Sequence, residues 1–293
     1  MLIRHLPHKS IDKKQWDQII SSASNGLIYA MSWYLDIVAP KWEALVSDDY
    51  SFIFPITVKR KYNLPYIVQP PLSQQLGIFS NKEVPVDVIR LFIQKLPSYS
   101  YELNLNEHNH LPGLIGEPNY ILDMGKTYKE ISNNYSKNTV RNIDKAKKIN
   151  LKIIDNINCE SFISFYEKTS KTYKAIDCEC LEKLIMAGLK HKEIKLISVY
   201  NSSDEMIAAL CYTEFNRRIT YLVPVSNETG KQAFAMFYLV DQIIQREAAK
   251  DKILDFEGSK IEGIARFYKG FGAKNHPYYI LKKLRPSFLV GRI

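Results

Sequence analysis

The pattern of apolar and polar positions is clearest in the second half of the chain. Gln232 to Ala249 carries Ala233, Met236, Phe237, Val240, Ile243, Ile244 and Ala248 at helical spacing, which predicts a single amphipathic helix. Three apolar runs before it read as strands: Ile194 to Tyr200, Met206 to Phe215 and Ile219 to Val225. Asn216 to Arg218 is short enough to close the last two into a hairpin. Upstream, Leu151 to Ile154 predicts a strand, with helices at Cys159 to Lys174 and Cys180 to Lys190. Downstream, Lys252 to Phe256 predicts a strand, Glu262 to Gly270 a short helix and Tyr278 to Leu284 a last strand. The order is β-α-α-β-β-β-α-β-α-β. The crossover from Ile219 through the long helix to Phe256 is expected to be right-handed, which makes those two strands parallel.

The first half repeats this order more weakly. Strands are expected at Met1 to Leu6, Trp42 to Val46, Phe52 to Lys59, Gln75 to Phe79, Tyr101 to Leu105 and Tyr120 to Asp123. Helices are expected at Lys13 to Ser22, Trp33 to Val38 and Val86 to Leu96, with Pro65, Pro70 and Pro71 punctuating the middle. Two similar α/β units in tandem account for 293 residues without a long linker.

Composition narrows the function. No stretch approaches the roughly 20 apolar residues of a membrane helix, and the start MLIRHLPHKS lacks a secretion signal's apolar run, so a soluble cytoplasmic protein is expected. Cys159, Cys178, Cys180 and Cys211 include a C-x-C pair without the further ligands of a zinc site, and they are expected as free thiols. His108 and His110 in HNH lack a third ligand and read as a polar loop, so no metal is expected. P-loop and dinucleotide fingerprints are missing, which argues against nucleotide hydrolysis and hydride transfer.

The net charge of +9 is concentrated: KNTVRNIDKAKK, from Lys137 to Lys148, holds five basic residues and one acid. On a helix, Lys137, Arg141, Lys145 and Lys148 fall within a stripe about 80° wide, with Ile143 and Ala146 roughly opposite. That stripe is either a solvated face or an attraction for a phosphate-bearing ligand such as coenzyme A, a nucleotide-linked precursor or tRNA. Lys282, Lys283, Arg285 and Arg292 form a second basic group near the end.

Two segments carry a resemblance. SKNTVRNIDKAKK (Ser136 to Lys148) and LDFEGSKIEGIARFYKGFGA (Leu254 to Ala273) resemble the FemABX peptidyltransferases and related acetyltransferase-like proteins of the GNAT superfamily. The resemblance implies an α/β (α+β) chain of two tandem GNAT-like domains, each a mixed central sheet flanked by helices, here at 1–130 and 131–293. It also implies transfer of an acyl or aminoacyl group from acyl-coenzyme A or aminoacyl-tRNA to a primary amine, such as that of a cell-wall precursor peptide. No permanently bound cofactor is expected. The chain departs from the superfamily at the pyrophosphate loop Q/R-x-x-G-x-G/A, where it reads NETGKQAF. Gly230, Lys231, Gln232 and Ala233 are nonetheless the candidates for holding the donor there, together with Arg141 and Lys145.

Amide formation needs a deprotonated amine, donors for an oxyanion and a proton for the leaving group. The parallel strands ending near Pro224 and Phe256 are expected to splay and leave main-chain N–H groups facing the acyl carbonyl. Lys269 sits where the FemABX motif places a lysine near that carbonyl; the alternative is a surface lysine. Asp255 and Glu257 flank Phe256 and would share a strand face. Glu257 is the candidate base and Asp255 a substrate ligand, unless one of them caps the following loop. Tyr221 and Tyr238 are candidate leaving-group acids, and Arg266 either binds an anion or is exposed. In the first half, Trp33 and Tyr34, with Gln69, Gln74 and Gln75, either line an acceptor pocket between domains or pack in the core. The competing function is a non-catalytic GNAT-fold module that holds RNA or a phosphorylated ligand on its basic helix.

Overall fold

A computed structural model describes residues 1–61, 64–97, 100–170 and 176–283. By contacts the chain forms two compact units, Pro118–His276 and Met1–Glu117 with the chain from Pro277 onward. The division therefore lies thirteen residues before the expected one (130 − 117), and the final strand belongs with the first unit.

The first unit contains β1 (Ile3–Leu6), α1 (Lys13–Ser22), α2 (Ser32–Val38), β2 (Glu43–Ser47), β3 (Ile53–Ile56), β4 (Val58–Lys61), β5 (Leu64–Val68), α3 (Val86–Gln94), β6 (Tyr101–Leu105) and β7 (Ile115–Glu117). β1, β2 and β3 form one antiparallel sheet; β4, β5, β6, β15 (Tyr278–Lys283) and β7 form a mixed one in that order. The single strand expected over Phe52 to Lys59 is thus two, in different sheets, and Gln75 to Phe79 makes only isolated bridges from Leu76 and Phe79. β5, with Pro65 inside it, is a strand where only punctuation was read; it lies second from the edge, next to β4. Phe54, Ile56, Ile67, Phe92 and Leu103 fill the core between α3 and the sheets.

The second unit contains β8 (Tyr120–Asp123), α4 (Tyr128–Ser132), α5 (Lys137–Lys147), β9 (Lys152–Asp155), α6 (Cys159–Thr169), α7 (Cys178–His191), β10 (Ile194–Tyr200), β11 (Met206–Phe215), β12 (Arg218–Ser226), α8 (Glu228–Gln232), α9 (Ala235–Glu247), β13 (Ile253–Asp255), α10 (Glu262–Gly270) and β14 (Lys274–Asn275). Its seven strands run β14-β8-β13-β12-β11-β10-β9, and β12 and β13 are parallel as expected. Leu239, Val240, Ile243 and Ile244 of α9 pack with Ile197, Leu210 and Ile219 of the sheet in one core.

The helix expected over Gln232 to Ala249 starts later, as α9 at Ala235, because Phe234 adopts φ +55° and separates it from α8, which ends at Gln232. Hydrophobic spacing survives such a break, so periodicity alone reads through it. The end of the predicted helix Cys159 to Lys174 lies partly outside the described residues, as do Arg285, Arg292 and Leu284. Of the terminal basic group, Lys282 pairs with Glu102 at 2.7 Å. Among the described residues, no helix is long and apolar enough to cross a membrane.

Candidate active site

The parallel pair is short. β12 meets β13 only at Arg218–Ile253, Ile219–Leu254 and Thr220–Asp255. Beyond Thr220, β12 continues to Ser226 paired with β11 on its other side, so its edge from Tyr221 onward has no strand partner toward β13. Strands that part this way leave main-chain N–H groups available to a ligand, as an intact ladder would not. An aromatic cluster lies beside this edge: Tyr221 is 5.7 Å from Phe256, 6.4 Å from Phe267 and 6.0 Å from Tyr268, ring centre to ring centre. Phe237 at the start of α9 joins it, 4.7 Å from Phe267.

Two non-glycine residues with left-handed backbone are found here, Phe234 at the start of α9 and Glu257 just after β13, with φ of +55° and +58°. Such backbone costs roughly 1–2 kcal/mol per residue and concentrates at functional sites. Glu257 lies past the strand, so it does not share a strand face with Asp255 as expected. Asp255 is buried, pairs with Arg218, and accepts a hydrogen bond from the Glu257 N–H at 2.8 Å. It is the residue that shapes the turn carrying Glu257, the second of the two roles the sequence left open. The Glu257 carbonyl in turn accepts from the Tyr120 N–H at 3.0 Å.

Lys269 is exposed, with its Nζ 5.4 Å above the Tyr120 ring, beside the end of β13. Tyr268 is the neighbour that sequence reasoning passed over, although it lies inside the quoted motif. Burial, then the Glu257 and Asp255 carboxylates, push its hydroxyl pKa up. Burial, then Tyr268, does the same to Tyr221. Both hydroxyls therefore stay protonated at neutral pH, and Tyr221 is a buried packing ring rather than an open proton source. Tyr238 sits half-buried on α9. Arg266 is exposed and paired with Glu262 at 2.7 Å one turn back.

The two family-like segments touch each other. The Ser136 N–H donates to the Gly270 carbonyl at 2.8 Å, and Tyr135 packs edge-on against Phe271. Gly270 permits this approach, since a Cβ there would lie 2.4 Å from Thr139 Oγ1. At its other end α5 is held by Asp241, a fully buried carboxylate on α9 that accepts from Tyr128 at 2.7 Å and Tyr135 at 3.3 Å and lies 3.4 Å from Lys147 Nζ. Burial and Asp241 raise the pKa of both tyrosines. Sequence gives no signal for this node, because an aspartate in an amphipathic helix reads as solvent-facing. So held, α5 carries Lys145 across to the start of α9, with its Nζ 5.3 Å from the Phe234 ring. Arg141, one turn earlier, is exposed and bonds Asn138.

The donor candidates on the preceding helix are otherwise occupied. The Gly230 N–H donates to Asn227 Oδ1 at 2.8 Å, and a Cβ there would lie 2.1 Å from the Ile207 carbonyl oxygen. Gly230 is glycine so that α8 can rest on β11. Lys231 pairs with Glu228 at 2.6 Å, Gln232 ends α8 exposed, and Ala233 is buried in the core. α9, by contrast, starts with no side chain capping it.

In the first unit Tyr34 and Gln75 are buried: the Tyr34 hydroxyl donates to the Leu72 carbonyl, and Gln75 accepts from the Glu107 N–H at 3.2 Å. They fasten a loop to its neighbours. Trp33 is half-buried against Tyr34. His110 packs on Tyr279, and among the described residues no three metal-ligating side chains converge.

No family model and no curated protein matches the sequence. Solved structures do match by shape. FemX aligns over 99% of this chain and 99% of its own, with a TM-score of 0.70 at 11% identity. The fold is FemABX-like, of the GNAT type. L-PGS from Bacillus licheniformis covers 95% of this chain and 94% of its own, TM-score 0.57, 9% identity. A tandem GNAT protein from the clavulanic acid biosynthesis pathway, in its form without AcCoA, covers 95% and 97%, TM-score 0.52, 7% identity. This FemABX-like fold is the one the two quoted segments implied.

Proposed function

We propose that this protein is an N-acyltransferase that moves an acyl or aminoacyl group from acyl-coenzyme A or aminoacyl-tRNA to a primary amine, and that it works in the cytoplasm. The observation that carries the reading is the partnerless edge of β12 beyond Thr220; the left-handed turn at Glu257 follows the neighbouring β13, and Lys269 lies over the Tyr120 ring of β8. In this reading the donor's phosphates lie along Arg141 and Lys145 toward the uncapped start of α9, where the helix dipole favours negative charge. The donor carbonyl meets the β12 edge, and as the amine attacks, charge develops on the carbonyl oxygen. Lys269 stabilises that charge, an effect of about 3 kcal/mol for one well-placed donor. Glu257, held by Asp255, accepts the amine's proton; the tetrahedral intermediate then collapses, the bond from the carbonyl carbon to the carrier's sulfur or ester oxygen breaks, and that proton passes from Glu257 to the departing thiol or ribose hydroxyl.

One observation favours the binding-only alternative: Gly230 and Lys231, where a phosphate cradle was sought, are committed to Asn227 and Glu228. The test is single-turnover transfer from acetyl-coenzyme A and from aminoacyl-tRNA to a panel of primary amines. Amide product from one donor, lost in Lys269→Ala, is expected. Donor binding that weakens steeply with salt, with no amide from any pairing, would instead make this a nucleic-acid or phosphate-binding module.

A further inference from the structure

The first unit holds a reactive pair that the proposed function does not use. Asn25–Gly26 is the one Asn-Gly step in the chain, and it lies between α1 and α2. With no Cβ on the following residue, the main-chain nitrogen of Gly26 is sterically open to the asparagine side chain. In a flexible chain that nitrogen attacks Asn25 Cγ: its proton passes to water, the Cγ–Nδ2 bond breaks, ammonia leaves and a cyclic succinimide closes. Water then opens the ring at either carbonyl, giving aspartate or an isoaspartyl link. The net change consumes water and releases ammonia, with no other reactant.

The fold holds both reacting groups elsewhere. Asn25 is 5% exposed; its Nδ2 donates to the Ile78 carbonyl at 2.8 Å, and its Oδ1 accepts from the Ser80 N–H at 3.2 Å. The Gly26 N–H donates to the Ala23 carbonyl at 3.0 Å, so the nitrogen that would attack is already engaged. The neighbours of Asn25 are amides too. Asn106 Nδ2 donates to the Leu76 carbonyl at 3.0 Å, and Asn109 accepts from the Ile78 N–H at 2.6 Å while donating to the Ile78 carbonyl at 3.1 Å. Asn25 Nδ2 also lies 3.5 Å from Asn106 Oδ1. A carboxylate at position 25 would therefore face the Ile78 and Asn106 oxygens with no N–H to give them. Setting a buried charge against two acceptors is far costlier than losing a single hydrogen bond.

We infer that Asn25 is a modification site guarded by the fold: deamidation there follows the parting of residues 23–26 from residues 76–80, and the acid that forms prevents them from closing again. Opening of this region is thereby one-way. The inference does not rest on the transferase reading. The test is timed incubation of the full chain at mildly alkaline pH, in native buffer and in concentrated urea, with peptide mass spectrometry of the fragment spanning Asn25. Aspartate and isoaspartate are expected to form about a hundredfold faster in urea than in the native state. In urea, Gly26→Ala is expected to slow them about tenfold, which locates the chemistry at this step without requiring the variant to fold. Asn25→Asp, made directly, is expected to melt about 5 °C below the parent chain. A second readout needs no variant: when parent chains aged in urea are returned to native buffer, the fraction that refolds is expected to fall in step with conversion at position 25. Equal rates in native buffer and urea, an Asn25→Asp chain with the parent's melting temperature, or refolding independent of conversion overturns the inference.

Discussion

Two surfaces meet along the carboxyl half of β12, and they have opposite characters. Toward β13 the strand edge is bare, the helix start that follows is uncapped, and Lys145 reaches that helix start. Toward α6 the helix start is capped by Asn227, its lysine is neutralised, and carboxylates and hydroxyls prevail. The difference teaches that a glycine ahead of a helix does not locate an anion site. Gly230 is spent on close packing, while the helix start available to an anion comes after the break at Phe234, where no glycine marks it.

The contrast can be broken in order of effect. Lys269→Ala is expected to lower transfer about a hundredfold, in line with loss of one oxyanion donor, with the melting temperature kept; unaltered turnover measured under single-turnover conditions would make Lys269 a surface residue. Gly230→Ala forces a Cβ against the Ile207 carbonyl and is expected to cost about 2 kcal/mol in denaturant unfolding; a neutral result would mean that α8 is not seated on β11. Combining Arg141→Glu with Lys145→Glu is expected to weaken donor binding about tenfold by calorimetry, whereas Lys231→Ala changes it less than twofold. The reverse pattern would move the donor to α8.

The smallest effect concerns pH. Tyr221, Tyr268, Tyr135 and Tyr128 all have raised pKa values when folded, chiefly through burial. The unfolded chain releases these protons near pH 10 while the folded one keeps them, so stability is full below that pH and declines above it. The melting temperature should be flat in this respect from pH 7 to 9 and drop beyond about 10, with Tyr221→Phe making the drop shallower. A fall already at pH 8 would contradict the burial of these hydroxyls.

Much of this was legible in the chain. The strands Ile194–Tyr200 and Met206–Phe215 and the helix Glu262–Gly270 have the bounds that alternation and periodicity gave them, because each carries a clean apolar face. The parallel crossover followed from connection rules alone. What was hidden depends on partners far away in sequence: Tyr278–Lys283 pairs with β6 rather than with the second unit, Tyr120–Asp123 pairs with β13, and Asp241 is buried by tyrosines more than a hundred positions distant. At the proposed site, Lys269 and Glu257 are named from the motif, and their roles are proposals. Tyr268, the Asp255 turn and the unlike roles of α8 and α9 required the backbone.

The central claim is that the bare edge of β12 receives the donor. Hydrogen exchange of residues 221–226 with and without acetyl-coenzyme A or aminoacyl-tRNA measures it directly. Slowed exchange there on adding one of these donors is the predicted result; unchanged exchange along that edge with both, or protection confined to residues 227–232, would contradict it.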